Sequence, residues 1–421
     1  MLKIIDMIAN VQTAETATVI TPSPVYFDAV NINQPAPKYK MEVLHGWKKT
    51  LVRSRIRLHI LYLALANYKS LRISIKVFKA LYAFKKIVLG GEVTKIVAIN
   101  NKYYVGLYTP GFPSKEFDRF VEGEFNRVIP LKKNADALSF IFFAITKKCP
   151  LNCEHCFEWN NLNKAESFNL GELKAVVDKF QKDGLSQIHL SGGEPMVRIK
   201  DLIPLIEHGK DHSEFFVLTS GFNFTASNAK ALKQAGLTGV VISLDHFDPQ
   251  IHDAFRGFKN SYQNVMDAIR NAQGQQLVIA LTLCATKAFI TWDNLLQYAE
   301  LAKNLKVPFI QLLEPKAVGH YEGQDIFLND DHLKLLEQFF LTLNFDPAYK
   351  DYPVIIYHGY HQRRVGCLSG GNRNLYIDSE GYVNACPFCH TKNFNIKDAL
   401  TTSFDIPGKV KERGCQLYEP A

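Results

Sequence analysis

Seven of the eight cysteines fall into two groups whose spacing is typical of metal clusters. In the first group, Cys149, Cys153 and Cys156 follow the pattern CX3CX2C. Three thiolates can bind three corners of an iron–sulfur cube and leave its fourth iron open to another ligand. The spacing differs from that of bacterial ferredoxins, and a structural zinc site needs a fourth ligand. A zinc knuckle or three unrelated thiols are the alternatives.

A glycine-rich turn follows the next predicted strand and consists of Gly192, Gly193, Glu194 and Pro195. Glycines let a backbone approach a ligand closely because they carry no Cβ. The carboxylate beside them can accept hydrogen bonds from an ammonium group. A Gly-Gly-Glu-Pro sequence by itself more often forms a turn without a ligand. Its interpretation as a binding site therefore depends on its position after a strand and near the cysteines.

The second cysteine group lies near the C-terminal end of the sequence and comprises Cys367, Cys386, Cys389 and Cys415. Residues 375–383 predict a hairpin that turns at residues 379–381. Four thiolates suffice for one fully ligated [4Fe–4S] cluster, and a zinc site with four cysteines is the alternative. The remaining cysteine, Cys284, lies on a predicted strand, where a buried hydrophobic role is more typical than hydrogen donation.

Alternating strands and helices are predicted to position both loops. From residue 137 the predicted strands are 138–146, 187–191, 214–219, 238–244, 277–284 and 308–313, and amphipathic helical segments separate them. Such alternation implies a parallel sheet with right-handed crossovers. In barrels of this type the chemistry gathers at the C-terminal ends of the strands. The cysteine loop and the glycine turn follow the first two of these strands.

The first cysteine group and the glycine turn resemble the signature motifs of the radical S-adenosylmethionine (SAM) superfamily. The resemblance implies that Cys149, Cys153 and Cys156 bind a [4Fe–4S] cluster whose open iron holds the amino and carboxylate groups of SAM. It also implies that an electron from the cluster cleaves SAM to methionine and a 5′-deoxyadenosyl radical. His155 stands where the family usually has an aromatic residue, and Glu194 matches the residue that binds the SAM amino group.

Three further stretches are similar to the same family. Ser220 stands where the family often has Asn, at the end of the third predicted strand. Ser243 and Asp245 end the fourth strand, and Arg256 follows. The resemblance implies that Ser243 and Asp245 face the ribose or carboxylate of SAM, with Arg256 nearby. A helix cap with a surface ion pair is the alternative.

The second cysteine group is similar to the auxiliary-cluster modules called SPASM and, in their shorter form, twitch. Its few cysteines imply a twitch-like module with one auxiliary [4Fe–4S] cluster. The expected fold class is therefore α/β: a partial (β/α)6 barrel with an N-terminal, mainly helical extension and a small C-terminal cluster-binding module. The expected domains are an extended arm (1–40), a basic helical and hairpin domain (41–136), the barrel (137–345) and the auxiliary-cluster module (346–421).

Residues 43–91 contain eleven Lys or Arg and no Asp or Glu. Their apolar spacing predicts two amphipathic helices, 45–66 and 70–87, before a hairpin around Asn100 and Asn101. A basic amphipathic surface can lie on an anionic membrane, hold a nucleic-acid backbone or bind an acidic leader peptide. The remaining alternative is a helical pair that packs on the barrel and turns its basic face to water.

The composition is that of a globular protein, with 421 residues, 47% hydrophobic and 21% charged. The N-terminal residues lack the pattern of a secretory signal, so the grouped cysteines predict a reducing cytoplasm. The longest uncharged apolar stretch near the N-terminus, residues 58–68, is too short to span a bilayer. The expected location is cytoplasmic, with peripheral membrane contact through residues 43–91 as a further option.

The predicted function is that of a radical SAM enzyme that abstracts hydrogen from its substrate, as an oxidoreductase or a C–H functionalising transferase. Relatives with auxiliary clusters mostly modify peptides, as in ribosomal-peptide maturation, so a peptide is the leading substrate class by analogy. A lipid or isoprenoid substrate is the first alternative, and a non-catalytic iron–sulfur or zinc protein is the second. The expected partners are the substrate and an electron donor such as ferredoxin or flavodoxin.

Overall fold

The computed structural model describes residues 38–91, 95–131, 138–400 and 405–413. Most of the predicted extended arm, up to residue 37, lies outside the described residues, and so does Cys415. The described residues belong to one compact unit.

The N-terminal part combines three helices with a small antiparallel sheet of order β1-β2-β3. Its elements are β1 (Met41–Leu44), α1 (Gly46–Tyr68), α2 (Leu71–Leu89), β2 (Ile96–Ile99), β3 (Lys102–Tyr104) and α3 (Lys115–Val128). Asn100 and Asn101 both have positive φ, 46° and 67°, as a two-residue hairpin turn of type I′ requires. The two predicted helices and the hairpin are confirmed, whereas β1 and α3 were not predicted.

A parallel sheet forms the centre of the molecule. Its strands are β4 (Phe140–Ala144), β5 (Gln187–Ser191), β6 (Glu214–Thr219), β7 (Leu237–Ser243), β8 (Val278–Cys284), β9 (Phe309–Leu313) and β10 (Val354–Tyr357). The helices that alternate with them are α4 (Leu170–Lys182), α5 (Ile199–Gly209), α6 (Ala226–Ala235), α7 (Pro249–Arg256), α8 (Ser261–Gly274), α9 (Trp292–Asn304), α10 (Asp330–Phe345) and α11 (His358–Val365). Neighbouring strands pair in chain order from β4 to β10.

The C-terminal residues extend this sheet at its other edge. The elements are β11 (Asn374–Ile377), β12 (Tyr382–Asn384), β13 (Phe394–Asn395), α12 (Ile396–Leu400) and α13 (Ile406–Arg413). Strand β11 pairs in parallel with β4 and antiparallel with β12, which confirms the predicted hairpin. The complete order is β10-β9-β8-β7-β6-β5-β4-β11-β12-β13.

The α/β fold class with a parallel sheet and a helical N-terminal region is confirmed. The six predicted strands correspond to β4–β9, and their nearly continuous apolar runs are typical of strands covered on both faces. Strands β10 and β11 add a parallel strand at each edge. Strand β10 was not predicted, because a four-residue strand shows little periodicity and lies in the segment assigned to the C-terminal module. Strand β11 was predicted as part of the hairpin but not as a partner of β4.

The N-terminal part contacts both edges of the parallel region. Glu124 on α3 accepts hydrogen bonds from Arg373, which precedes β11, at 2.9 and 3.1 Å. Near the opposite edge, Lys95 Nζ donates to the backbone oxygens of Tyr349, Tyr352 and Pro353 at 2.8 to 3.0 Å. These buried contacts hold the helices beside the space between β10 and β11. No helix among the described residues is long and apolar enough to cross a membrane.

Candidate active site

The first cysteine group lies in the loop that follows β4, and side chains from distant loops hold its backbone. Asn163 accepts a hydrogen bond from the Cys149 N–H and donates one to the Cys149 oxygen, both at 3.1 Å. His320 Nδ1 lies 2.9 Å from the Cys153 oxygen, and the backbone N–H of His320 donates to the Cys156 oxygen at 2.9 Å. Each cysteine therefore has a fixed backbone position.

Two glycines allow other loops to approach the cysteine loop. A Cβ on Gly257 would lie 2.5 Å from the Asn152 oxygen, and a Cβ on Gly319 would lie 2.2 Å from the Cys156 oxygen. Both glycines have positive φ, 56° and 61°, which few other residues adopt without strain. Side chains at these two positions would push the loop out of place.

The glycine turn after β5 packs directly against the same cysteine loop. Gly193 N–H donates to the Thr146 oxygen and Glu194 N–H donates to the Lys148 oxygen, each at 2.8 Å. A Cβ on Gly192 would lie 2.4 Å from the Thr146 oxygen, and one on Gly193 would lie 2.4 Å from the Lys148 oxygen. The turn therefore needs both glycines to bring its carboxylate beside the thiols.

The carboxylate of Glu194 is buried and held by four hydrogen bonds. Oε1 accepts from Met196 N–H at 3.0 Å and from the Thr219 hydroxyl at 2.8 Å. Oε2 accepts from the Ser220 N–H at 2.8 Å and from the Ser220 hydroxyl at 2.6 Å. Burial raises the pKa of Glu194, and the hydrogen bonds from Ser220, Met196 and Thr219 oppose that rise. Ser220 thus orients the carboxylate.

Arg256 connects the end of β7 to the cysteine loop. Its guanidinium forms a buried ion pair with Asp245, 2.5 Å between Nη2 and Oδ2, and lies 3.7 Å from the Cys153 sulfur. Burial acts to raise the pKa of Asp245, but the positive charge of Arg256, with smaller contributions from His155, His252 and the Cys284 N–H, lowers it on balance. Asp245 also accepts a hydrogen bond from the Cys284 N–H at 3.0 Å. Arg256 therefore places a positive charge beside one thiol.

Cys153 is buried and Cys149 and Cys156 are partly exposed, and all three thiols are protonated in the absence of a ligand. Burial raises the pKa of Cys149 and of Cys156 to about 12. It also raises the pKa of Cys153, where Arg256 acts in the opposite direction. His155, between these cysteines, stacks on Phe255 at 4.9 Å, and burial lowers its pKa to about 4, so that the ring is neutral. Metal binding would displace the thiol protons.

The described cysteines of the second group, Cys367, Cys386 and Cys389, line the same cavity as the first group. Cys367 precedes β11, and Cys386 and Cys389 follow β12, where the Cys389 N–H donates to the Cys386 oxygen at 3.1 Å. The buried carboxylate of Glu158 accepts hydrogen bonds from the hydroxyls of Tyr376 and Ser379. Since Glu158 lies two residues after Cys156 in the chain, this contact fixes the first cysteine loop relative to the hairpin of β11 and β12.

A single cavity of about 600 Å³ connects these features. Its walls include Cys149, Cys153, His155, Cys156, Gly192, Gly193, Glu194, Ser220, Ser243, Asp245, Arg256, Cys284, Cys367, Cys386 and Cys389. Pro195, which begins a short helix (Pro195–Arg198), is buried behind the turn. In the described part of the chain, no group of three or more His, Cys, Asp or Glu could hold a single metal ion.

Several residues that hold the site were not predicted from the sequence. Asn163, His320 and Glu158 act on backbone groups or on partners far away in the chain, and their sequence positions show no motif. Asn163 has φ of 60°, and Asn before a loop is a weak signal for that conformation. Cys284 is buried at the end of β8, as predicted, although its side chain also lines the cavity.

Comparison with known proteins identifies the class of this site. Residues 143–310 match the family model described as the Radical SAM superfamily. The chain therefore contains a radical SAM domain, and it is an enzyme. Such a domain implies a [4Fe–4S] cluster and SAM. The site fits them, because three thiols and the glycine turn share one cavity, where the buried hydroxyls of Ser191 and Thr282 have no hydrogen-bond partner among the described residues.

Individual relatives differ in the reactions that their names state. The GTP 3′,8-cyclase of Aquifex aeolicus is 26% identical over 218 residues, which cover 50% of this chain and 68% of the relative. The PqqA peptide cyclase of Bradyrhizobium diazoefficiens is 30% identical over 132 residues, 31% of this chain and 34% of the relative. SuiB of Streptococcus suis, bound to precursor peptide SuiA, shares the fold, with a TM-score of 0.53 and 14% identity over 85% of this chain and 86% of SuiB.

Proposed function

We propose that the chain cleaves SAM reductively and uses the resulting radical to abstract hydrogen from a substrate bound in the cavity. The observation that supports this most strongly is the convergence of three thiols, the glycine turn and the Glu194 carboxylate on one cavity. When bound, the cluster and SAM would supply a 5′-deoxyadenosyl radical. The protein contributes binding, orientation and the exclusion of water.

Each group of residues has a distinct proposed role. Cys149, Cys153 and Cys156 would hold the SAM-binding cluster, and Glu194 would accept hydrogen bonds from the ammonium group of SAM. Asp245 holds Arg256 against Cys153, where its positive charge would stabilise the thiolate. The further proposed cofactor contacts are His155, Gly192, Gly193, Pro195, Ser220 and Ser243.

An auxiliary [4Fe–4S] cluster is proposed for Cys367, Cys386, Cys389 and Cys415 in a twitch-like module. The first three line the same cavity as the SAM-site thiols, and Cys415 lies outside the described residues. An electron donor such as ferredoxin or flavodoxin in the cytoplasm would reduce the enzyme.

The leading substrate class is a peptide. Two observations support it: one relative is named as a peptide cyclase, and the fold is shared with SuiB, a protein whose structure contains a precursor peptide. The cavity of about 600 Å³ would also hold the cluster and SAM, so it would admit only one or two side chains of such a substrate.

A lipid or isoprenoid is the second candidate, because part of the cavity wall is apolar. Helices α1 and α2 contribute side chains such as Ile60, Leu81, Phe84 and Val88 to it. These residues would contact an alkyl chain without leaving polar groups unpaired. A substrate of this kind would require contact with a membrane, for which residues 43–91 are the proposed surface.

Metal analysis and SAM cleavage test the proposal together. After anaerobic reconstitution we expect about eight irons per chain, falling to about four when Cys149, Cys153 and Cys156 are replaced by Ala. Cys149→Ala should abolish formation of 5′-deoxyadenosine, and Cys386→Ala should reduce product formation more than SAM cleavage. Zinc in place of iron, or undiminished 5′-deoxyadenosine in Cys149→Ala, would contradict the radical SAM mechanism.

A further inference from the structure

Helix α1 exposes a row of large apolar side chains to water. The row consists of Trp47, Leu51, Leu58, Tyr62 and Leu65. Their spacings of four, seven, four and three residues keep them within an arc of about 60° on a helix of 3.6 residues per turn. Trp47 is 73% exposed and Leu58 is 67% exposed. A soluble monomer seldom leaves so many large apolar groups together in water.

Helix α2 continues this surface with Leu71 and Ile75, which are 63% and 39% exposed. In the described part of the chain, the other exposed large hydrophobic residues are Val197, Ile251 and Phe327. These three lie on separate segments of the barrel region, as single exposed apolar residues normally do. The apolar exposure is therefore concentrated on α1 and α2, which together form what we name the outer face.

Positive charge lies along the α2 part of the outer face. The exposed side chains around Leu71 and Ile75 include Lys69, Arg72, Lys76 and Lys79, and residues 43–91 contain no acidic residue. Apolar groups in a row with cations beside them match the interface of an anionic bilayer, where the apolar groups enter the headgroup region and the cations contact phosphates. A nucleic acid would match the charge but not the row of Leu side chains.

The opposite side of the same helices forms part of the cavity wall. Ile56 and Ile60 of α1 and Leu81 of α2 line the cavity that also contains the three SAM-site thiols. A helix with its side chains is about 10 Å across. A bilayer on the outer face would thus lie about one helix diameter from the apolar end of the cavity.

We propose that the outer face of α1 and α2 binds the surface of an anionic lipid bilayer. Trp47, Leu51 and Leu58 insert their apolar side chains at the interface, while Arg72, Lys76 and Lys79 contact the headgroups. The bound enzyme lies on the membrane with its helical cavity wall towards the lipid. Only as the membrane contact of an enzyme that acts on a lipid does this proposal rest on the proposed function. Binding of the outer face to a bilayer does not itself depend on SAM cleavage.

Vesicle co-sedimentation of the full chain tests this surface. Vesicles of phosphatidylcholine with about 30% phosphatidylserine should bind the protein at least about tenfold more strongly than vesicles of phosphatidylcholine alone. Trp47→Ser/Leu51→Ser/Leu58→Ser and Arg72→Gln/Lys76→Gln/Lys79→Gln should each weaken binding to the anionic vesicles by about tenfold or more. Circular dichroism and thermal melting establish that each variant is folded.

Two control variants carry matched changes elsewhere on the surface. Val197→Ser/Ile251→Ser/Phe327→Ser removes the other exposed apolar groups, and Lys182→Gln/Lys200→Gln/Lys230→Gln removes three exposed cations from α4, α5 and α6. Both should bind the vesicles as the wild type does. Equal loss in test and control variants would overturn the proposal, because any general loss of charge or hydrophobicity would then explain the result.

Tryptophan fluorescence gives a second readout that needs only one substitution. The chain has three tryptophans, at positions 47, 159 and 292. Anionic vesicles should shift the emission of the wild type to shorter wavelength, and Trp47→Phe should lose that shift. The absence of this shift would overturn the proposal. A doubled mass in light scattering that Trp47→Ser/Leu51→Ser/Leu58→Ser abolishes would also overturn it, because the outer face would then bind a second copy of the chain. SAM cleavage, measured without vesicles, reports separately on the proposed chemistry.

Discussion

At the scale of single residues, the site depends on how Glu194 is held. Four hydrogen bonds from Met196, Thr219 and Ser220 fix the carboxylate and oppose the rise in its pKa that burial causes. A hydrogen bond to a charged group contributes about 1.5–3 kcal/mol. The direction of the carboxylate is therefore set by Thr219 and Ser220 at the end of the next strand as well as by the glycine turn.

Ser220→Ala should weaken SAM binding by about tenfold, because it removes the hydroxyl that donates to Glu194 at 2.6 Å and tenfold corresponds to about 1.4 kcal/mol. Anaerobic isothermal titration would measure the dissociation constant. Ser220→Thr, which keeps a hydroxyl, should restore much of the affinity. Ser227→Ala, at an exposed position on α6, is the matched control. Unchanged SAM affinity in a folded Ser220→Ala protein would exclude this positioning role.

Gly193→Ala should lower the iron content after reconstitution, because its Cβ would lie 2.4 Å from the Lys148 oxygen and 3.0 Å from the Cys149 Cβ. The backbone beside Cys149 would have to move. Iron analysis and the visible absorption of the cluster would measure the loss. Gly123→Ala is the matched control, since no atom lies within 4 Å of its added Cβ and Ala is the better helix former. Full iron content in Gly193→Ala would contradict the close-packing argument.

At the scale of elements, apolar runs made the central strands predictable. Strands β5 and β6 have the predicted bounds, because each run is buried along its length and ends at a loop. The parallel pairing of β11 with β4 could not be predicted, since no local pattern specifies which edge a short strand joins. The motif residues Cys149 and Glu194 were predicted from local patterns. Asn163 and His320, which lie 14 residues from Cys149 and 167 residues from Cys153, were not, because no local pattern specifies their contacts.

Strand β5 also carries a buried polar residue with a testable pH effect. His189 is fully buried, stacks on Phe216 at 5.0 Å and has no hydrogen-bond partner for either ring nitrogen among the described residues. Burial lowers its pKa to about 3, below the value of about 6.5 in an unfolded chain. Its contribution to stability is complete above pH 6.5 and is lost as the pH falls towards 3.

His189→Leu should therefore flatten the dependence of stability on acid pH. For one such histidine the loss between pH 7 and pH 5 is about 2 kcal/mol, and the variant should lose that much less. Urea unfolding at both pH values would measure the difference. His212→Leu, at an exposed position before β6, should leave the wild-type pH dependence intact. Identical pH dependence in His189→Leu and the wild type would mean that His189 is not held neutral by burial.

At the scale of the whole molecule, three separate parts of the chain surround one cavity. The parallel strands supply the thiols and the Glu194 carboxylate, the C-terminal residues supply Cys367, Cys386 and Cys389, and the N-terminal helices supply an apolar wall. Contacts such as Glu124 with Arg373 and Lys95 with backbone oxygens near β10 fix these parts together. The cysteine groups and Glu194 therefore come from different parts of the chain than the apolar wall. A substitution in the apolar wall can thus be made without altering the cysteine loop or the glycine turn.

Leu81→Trp should separate SAM cleavage from substrate turnover. Leu81 lies on α2 and lines the cavity, so a larger side chain there would occupy substrate volume but leave the cysteine loop and the glycine turn unchanged. We expect 5′-deoxyadenosine formation without substrate within about twofold of the wild type, and product formation reduced by tenfold or more, about 1.4 kcal/mol in transition-state binding. Chromatography of 5′-deoxyadenosine and of product from the same reactions would measure both.

Ala83→Trp is the matched control, because Ala83 lies two residues further along α2 and is exposed to water. The same increase in volume at that position should change neither rate, since the new side chain would extend away from the cavity. If Leu81→Trp and Ala83→Trp behaved alike, the helical wall would not contact the substrate. Equal loss of SAM cleavage and product formation in Leu81→Trp would instead indicate that α2 supports the cluster site, and the substrate would then have to bind nearer to the C-terminal cysteines.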